Sequence, residues 1–324
     1  MTAATVSATV PSVLIAAVTV EEVERVSPAF VRVVLGGDSL ADLGTADGFD
    51  TRFKIVLPGP TGLLPDLGDG PGAWRQSWSS MPDSVRSPMR TYTIRDVRTR
   101  DGAVQLVTDF VVHDGEPDTL GPACRWALAA KVGDVVHVVA PHRLAPIYGG
   151  TEFNPGHLRD LLLVGDETAV PAVARILADV GPGFTGHAFL EVPSSADALE
   201  LEAPDGLTVT WLPRGDASHG RRLVAAVRDH LGLPPTNLRL PLPPVPSDLD
   251  VDVWETPRYS SAGEDLTRPA PEGAGRDLAG TYTWIAGEAW CVRILRRTLV
   301  SDLDVERSRV AFMGYWREGV AMRT

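Results

Sequence analysis

The sequence predicts two domains of different class: a small antiparallel β-barrel over residues 1–147, then a parallel α/β domain over residues 148–324. Three observations predict this. The first half holds six runs rich in β-branched residues, separated by Gly, Pro and Asp and joined by one short helix. After Pro141 strand and helix signals alternate, the pattern of a parallel sheet covered by helices. A chain of 324 residues with 44% hydrophobic and 22% charged content is long enough for two ordinary globular cores.

In the barrel half, strands are expected over Ile15–Val26, Phe30–Leu35, Phe53–Leu57, Thr91–Val97, Val104–Val112 and Val135–Val139. Gly36-Gly37-Asp38 and Asp101-Gly102 supply turns between them. From Pro58 to Pro88 the pattern breaks. Pro and Gly come first and then Trp74, Trp78 and Met81, which reads as a long loop with a short helical turn. Gly121-Pro122 opens the one brief helix, because Gly turns freely and Pro suits the first helical position.

In the second half, Leu161–Val164 is a continuous apolar run suited to a strand buried on both faces, and Gly165 ends it. Val170, Val173, Leu177 and Val180 form one apolar stripe of a helix. Strands follow at His187–Val192 and Val209–Leu212, then a helix at Arg221–Leu231. A strand at Thr281–Ala286, a helix from Glu288 to about Ser301 and a strand at Arg309–Met313 complete the series. The Pro-rich stretch around 234–280 reads as an irregular surface insertion, with Asp250–Trp254 its candidate edge strand.

The formal net charge of −12 argues against a general nucleic-acid binder, since a phosphate backbone wants a basic surface. An anionic substrate must therefore meet a locally basic patch. Two cysteines, Cys124 and Cys291, cannot ligate a four-cysteine iron–sulfur cluster, and neither has zinc-site spacing. Two isolated thiols suit a reducing compartment. Residues 1–17 are apolar but lack a basic leader region, and Val13–Val18 is too short to span a bilayer. These features lead to the expectation of a soluble cytoplasmic monomer with no stable membrane insertion.

Three segments carry the chemistry of the first half. In Arg90-Thr91-Tyr92-Thr93-Ile94-Arg95, strand alternation sends Arg90, Tyr92 and Ile94 to one face: a cation, an aromatic plane and an apolar neighbour. Arg suits a diphosphate because its planar fork donates two hydrogen bonds at once. The helix start at Gly121-Pro122-Ala123-Cys124-Arg125-Trp126-Ala127 offers backbone N–H groups and a partial positive charge, a second phosphate device. Asp109-Phe110-Val111-Val112-His113 lies between them. Taken alone, an R-x-Y-T strand is ordinary, with a solvated Arg and a half-buried Tyr. The three segments together indicate a nucleotide cofactor with a flat ring.

In the second half, ligands of a parallel sheet bind at the carboxyl ends of its strands, here Gly165 and Gly287. Gly165-Asp166-Glu167-Thr168-Ala169-Val170-Pro171 is not the G-x-G-x-x-G fingerprint, and a tight strand-to-helix turn explains Gly165 equally well. Glu191, at the end of the next strand, would bond a ribose hydroxyl and favour NADH. Arg214, beyond the strand after it, would hold a 2′-phosphate and favour NADPH, so the two signals conflict. Arg293, Arg296 and Arg297 share a helix face opposite Cys291, Leu295 and Leu299, and Arg317 and Arg323 follow. Arginines on an outward helix face are ordinarily just solvated.

The chain resembles the siderophore-interacting proteins, FAD-dependent ferric-siderophore reductases of the ferredoxin-reductase superfamily. The resemblance rests on the three first-half segments, with Met89 preceding Arg90. It also rests on Leu163-Val164-Gly165-Asp166-Glu167-Thr168-Ala169-Val170-Pro171-Ala172, Trp284-Ile285-Ala286-Gly287-Glu288-Ala289 and Phe312-Met313-Gly314-Tyr315-Trp316-Arg317-Glu318-Gly319, all in family order. It implies a Greek-key FAD-binding barrel followed by an NAD(P)H-binding α/β domain. FAD would lie against Arg90, Thr91, Tyr92, Thr93, Asp109, Val111, His113, Gly121, Pro122, Ala123, Cys124 and Trp126. The family position matching Cys124 is usually Ser or Thr. Gly165, Asp166, Glu167, Thr168, Gly287 and Glu288 would hold NAD(P)H or the flavin edge. Asp166 and Glu167 replace small residues of many superfamily relatives, which suggests a shifted cofactor pose. An anionic ferric siderophore would meet Arg293, Arg296, Trp316 and Arg317.

The implied reaction is a relay from NAD(P)H through FAD to ferric iron, for intracellular iron acquisition. It needs no catalytic side chain and no iron ligand on the protein. A flavin reductase acting on a ferredoxin, a quinone or free flavin, and a siderophore-binding protein without turnover, are the other readings.

Overall fold

The structure is a computed structural model that describes all residues except 1–12, 45–47, 69–71, 114, 117–118, 146–149, 235–253, 257–258, 261–277 and 321–324. The boundary expected at 147/148, most of the Pro-rich stretch and Arg323 lie outside the described residues. Two compact units are found, one of Met1–Arg25 with Val31–Thr151 and one of Val26–Phe30 with Glu152–Arg323. Among the described residues, no helix is long and apolar enough to cross a membrane.

The first unit contains strands β1 (Val13–Ser27), β2 (Phe30–Gly36), β3 (Arg52–Val56), β4 (Met89–Thr93), β5 (Asp96–Arg100), β6 (Ala103–Val111) and β7 (Val135–Pro141). Its helices are α1 (Ala73–Ser79) and α2 (Pro122–Ala129). The strands form one sheet in the order β4-β3-β7-β1-β2-β6-β5. β7 lies between β3 and β1, and β6 beside β2; these non-sequential neighbours are Greek-key crossings.

The edge strands β4 and β5 are joined by only Ile94 and Arg95, so the sheet must curl back on itself. Ile94 N–H donates to the Thr51 carbonyl at 2.8 Å, and Arg95 N–H to the Val107 carbonyl at 2.9 Å. The single strand expected over Thr91–Val97 is therefore two strands with a corner between them. The chain changes partner at that corner, from β3 to β6. Asp101 and Gly102, both at positive φ (51° and 83°), close the β5–β6 hairpin as an Asp-Gly pair should.

Val18, Val33, Phe53, Ile55, Leu106, Phe110 and Val138 fill the interior. Each such side chain contributes about 1.5–3 kcal/mol by leaving water. In the long connection between β3 and β4, Leu67 and Trp74 are buried against Val56 and Val139. Trp78 Nε1 donates to the Ser87 carbonyl at 2.8 Å.

The second unit contains β8 (Asp160–Gly165), β9 (Thr185–Val192), β10 (Leu207–Pro213), β11 (Trp254–Thr256), β12 (Tyr259–Ser260), β13 (Thr281–Glu288) and β14 (Val310–Trp316). Its helices are α3 (Val170–Asp179), α4 (Arg221–His230) and α5 (Ala289–Arg296), and a π-helical turn over Arg297–Asp302 continues α5. The sheet order is β10-β9-β8-β13-β14-β11-β12, with β8, β9, β10, β13 and β14 parallel. All eight residues of β13 are buried, as a central parallel strand requires. Of the edge strand expected at Asp250–Trp254, residues 250–253 lie outside the described ones; Trp254 begins β11, which runs antiparallel to β14 with β12 outside it as the edge.

From β8 the chain winds outward to β10 and returns at β13 on the other side of β8. That reversal makes the carboxyl ends of β8 and β13 the switch point where such sheets bind ligands. Buried Asp197 accepts hydrogen bonds from Ser27 Oγ (2.8 Å) and Ala29 N–H (2.7 Å), tying the Val26–Phe30 segment into this unit.

Gly186 shows how tightly the sheet is packed. It sits in β9 at φ 126°, and a Cβ there would overlap the backbone of Leu161. Gly186→Ala should cost about 2–4 kcal/mol through backbone strain and displaced β8 pairing. A thermal melt should show the drop in Tm, and an unchanged Tm would contradict the packing described here.

Candidate functional site

In the first unit the β3–β4 register sets Arg90 opposite Ile55 and Tyr92 opposite Phe53, so all four share one face. The Tyr92 ring lies 4.3 Å from that of Phe110, and Phe110 lies 5.3 Å from Trp126. This aromatic row joins β4, β6 and α2. Burial pushes the Tyr92 phenol above its usual range, so it stays neutral at physiological pH. Arg90 is half-buried, and burial lowers its pKa. Its Nη1 donates to the Met89 carbonyl at 2.8 Å. Thr93 is buried, and its carbonyl accepts from Thr108 Oγ1 at 3.3 Å.

Helix α2 begins after an extended Gly121 (φ −62°, ψ 153°), and no side chain caps it. A Cβ at Gly121 would meet nothing within 4 Å, so the helix start faces open space. Pro122 is half-buried, Ala123 and Cys124 are buried, and Cys124 Sγ makes a weak contact with the His113 carbonyl at 4.0 Å. His113 is exposed, and Val111 is half-buried at the end of β6.

Asp109 departs from the sequence expectation. Both its carboxylate oxygens are held by Arg32, at 2.7 and 2.9 Å, with Arg95 at 3.8 Å. Its side chain is a buried strut between β2 and β6, its carboxylate already engaged by arginine.

Lys54 was not singled out from the sequence. Its Nζ donates to Thr91 Oγ1 at 3.0 Å, on the strand face opposite Tyr92. Burial, and the like charges of Arg75 and Arg52, lower its pKa. The sequence signal is the Arg52-x-Lys54 alternation, which puts both cations on one face of β3.

In the second unit the expected residues converge on the carboxyl ends of β8, β13 and β14. Asp166 is 3% exposed. Its Oδ1 accepts from Thr168 N–H (2.9 Å) and Oγ1 (2.5 Å). Its Oδ2 accepts from Glu288 N–H (2.6 Å) and Trp316 Nε1–H (2.8 Å). Gly287, at φ 141°, is required there, because a Cβ would press on that same oxygen. Glu288 caps α5, its Oε2 accepting from Trp290 N–H (2.6 Å) and Cys291 N–H (3.2 Å). Its Oε1 accepts from Glu318 N–H at 3.2 Å.

Glu191, expected to read a ribose, and Glu167, expected beside the shifted cofactor, are both engaged internally. Arg214 holds Glu167 bidentately (2.8 and 2.9 Å) and Glu191 at 3.2 Å. Burial alone would lower the Arg214 pKa, but the two carboxylates raise it on balance. Glu191, fully buried, also accepts from Gly220 N–H (2.8 Å) and Leu223 N–H (3.1 Å), satisfying the start of α4. The opposing NADH and NADPH signals of Glu191 and Arg214 thus resolve into one buried ion pair.

The basic candidates lie beside this network. Burial and the like charge of Arg317 lower the Arg293 pKa, with Glu288 opposing. Arg293 Nη2 is buried with no hydrogen-bond partner among the described residues. Trp316 adjoins Arg317 at the end of β14, and Arg296 lies one turn further along α5. Arg293 and Arg317 are near enough for each to feel the other's charge, with Glu288 offsetting part of it, and such local positive charge suits an anion.

Comparison with known proteins identifies the arrangement. Residues 19–145 match the siderophore-interacting FAD-binding domain model, and residues 158–319, half of the chain, match the siderophore-interacting protein model. The chain belongs to the siderophore-interacting protein family. An uncharacterised protein of Mycobacterium tuberculosis is 33% identical over 59% of this chain and 62% of its own length, so the match spans about three fifths of that relative. The NADPH-dependent ferric-chelate reductase of Escherichia coli is 32% identical over 63% of this chain and 74% of its own. The crystal structure of a siderophore utilization protein from T. fusca superposes with a TM-score of 0.67 at 29% identity, covering 96% of this chain and 95% of that one. Like other members of the family, the chain carries an FAD-binding barrel. The first unit fits that cofactor: an uncapped helix start in open space, a half-buried guanidinium on β4 and an aromatic row beside it.

Asp166 is the titrating group of this site. Burial and the neighbouring Glu167 carboxylate push its pKa up to about 7, against the opposing pull of Thr168 and Trp316. Because the folded-state value lies above the unfolded one, stability from this group is complete below about pH 4 and is lost as pH rises through about 7. The Tm of the wild-type protein should therefore fall between about pH 4 and 7, and Asp166→Asn should flatten that slope. A slope identical in the two proteins would place the titration elsewhere.

Proposed function

We propose that this protein is an NAD(P)H-dependent, FAD-containing reductase of ferric siderophores that releases the iron as Fe(II). The observation that carries this reading is the pair Arg293 and Arg317 beside Trp316, with a buried guanidinium nitrogen of Arg293 that has no hydrogen-bond partner among the described residues, in a chain that has an FAD-binding barrel. An acidic chain of net charge −12 that gathers cations at one strand end offers a local attraction for an anionic chelate. The E. coli relative, named a ferric-chelate reductase, supports the same substrate class. In our reading residues 1–147 bind FAD and residues 148–324 bind NAD(P)H and the chelate, in a cytoplasmic monomer. The two buried, unlinked thiols suit that compartment.

A bound flavin would supply the two-electron to one-electron chemistry between a nicotinamide hydride donor and ferric iron. The chain's own residues bind and orient. Arg90 and the open start of α2 would neutralise the pyrophosphate, and Tyr92, kept neutral by burial, would offer its face to the ring or ribityl chain. Arg293, Arg317 and Trp316 would hold the chelate. Reduction frees the iron because hard oxygen chelators hold Fe(III) far better than Fe(II).

An anaerobic titration tests the reading. The purified yellow protein should bleach with NADPH or NADH and re-oxidise on adding a ferric siderophore but not a ferredoxin. Re-oxidation by ferredoxin alone would make it a reductase for another acceptor. Arg90→Ala should lower FAD occupancy while the fold persists, and unchanged flavin content would refute the pyrophosphate assignment. Arg293→Ala should raise KM for the chelate roughly 10- to 100-fold, the worth of a charge-assisted hydrogen bond. An unaltered KM would remove Arg293 from the substrate contact.

A further inference from the structure

We propose that Asp166 is a positioning residue that orients both carriers of the anion-binding cations, β14 through Trp316 and α5 through Glu288. The inference rests on the reading above that Arg293, Trp316 and Arg317 receive the ferric chelate. It concerns a group one hydrogen bond behind Trp316 and, through Glu288, behind the helix that carries Arg293.

Asp166 has no acceptor capacity to spare. A carboxylate offers about four lone-pair directions, and four donors occupy them: Thr168 N–H and Oγ1–H, Glu288 N–H and Trp316 Nε1–H. Two of the four belong to the local turn after β8. The other two reach across the sheet to separate strand ends.

The Glu288 branch leads to Arg293. Its N–H is fixed by Asp166, and its side chain caps the first turn of α5, the helix that carries Arg293 five residues on. The Trp316 branch leads to Arg317. The indole is held at its N–H by Asp166, and its ring lies 4.8 Å from that of His219, edge to face. The two branches meet again where Glu318 N–H donates to Glu288 Oε1. One carboxylate therefore closes a loop of contacts around the two cations whose mutual charge is felt at Arg293.

A purely structural turn would not need this arrangement. Thr168 alone would satisfy a local Asx-type turn. Placing a second buried acid beside Glu167, and a glycine at φ 141° so that Oδ2 can approach, costs stability that the turn does not require. The bond that such a turn leaves unexplained is the one to the Trp316 indole.

The test uses the FAD-loaded full chain, with Asp166→Asn, Trp316→Phe and the double variant. Asn keeps the shape but presents an N–H₂ to the facing donors, and Phe keeps a ring but removes the Nε1–H. The probe is an anionic gallium(III) trihydroxamate or tris-catecholate, which mimics the ferric chelate without accepting electrons. Each single variant should weaken its binding about five- to tenfold, the worth of one buried hydrogen bond. The double variant should be no weaker than Asp166→Asn alone, because the connection that Trp316→Phe removes is one that Asp166→Asn already breaks. Independent effects that multiply, or wild-type binding by Asp166→Asn, would overturn the proposal.

A second readout does not depend on the chelate. The ¹⁵N indole resonance of Trp316, identified by its loss in Trp316→Phe, should shift upfield in Asp166→Asn as its acceptor is replaced. An unmoved resonance overturns the positioning role. A shifted resonance in a protein that binds no chelate keeps the clamp and refutes the substrate reading instead. If Asp166→Asn does not fold, Trp316→Phe alone still decides: gallium-chelate binding equal to wild type overturns the proposal.

Discussion

Charge that leaves water must find a partner, and the second unit is organised by that requirement. Three carboxylates, of Asp166, Glu167 and Glu191, are buried at the carboxyl ends of adjacent strands. Breaking a buried ion pair by removing one partner costs on the order of 3–5 kcal/mol, because the survivor is stranded. Arg214 therefore binds Glu167 and Glu191 together, backbone N–H groups at the start of α4 complete Glu191, and Asp166 is satisfied by four donors from three strand ends. The switch point that a parallel sheet offers to ligands is here preceded by a polar lattice that sets where its strands end.

The first unit applies the same rule at smaller scale. Asp109 is paired by Arg32 across β2 and β6, with Arg95 approaching from the corner that closes the sheet. Once such acids are engaged inside, other cations are left beside one another: Lys54 near Arg52 and Arg75 in one unit, Arg293 near Arg317 in the other. An overall charge of −12 thus coexists with local basic ground, since sign is decided by which acids the interior has already claimed. The same division puts Glu191 and Arg214 into one internal ion pair.

The strand and helix elements were legible because burial leaves a periodic imprint. Leu161–Val164, the stripe Val170, Val173 and Leu177, and the Asp101-Gly102 hairpin are each dictated by neighbours within a few residues. The corner at Ile94–Arg95 was not, because a β-rich run looks the same whether it keeps one partner or changes to another. The open start of α2 and the row Arg90, Tyr92 also followed from local pattern, and so did the family to which the chain belongs.

Partnership between distant side chains belongs to the tertiary structure alone. The sequence by itself determined the two classes of domain, the turn glycines and the residue types suited to a phosphate-bearing cofactor, all consequences of short-range backbone preference and spacing. It offered Asp109, Glu191 and Arg214 as ligand contacts because an exposed and a paired charge are spelled with the same letter. Only the fold decided that Asp109 meets Arg32 across 77 positions and that Asp166 meets Trp316 across 150. The energy of a charge depends on what lies within a few ångströms of it, and separation along the chain does not encode that distance.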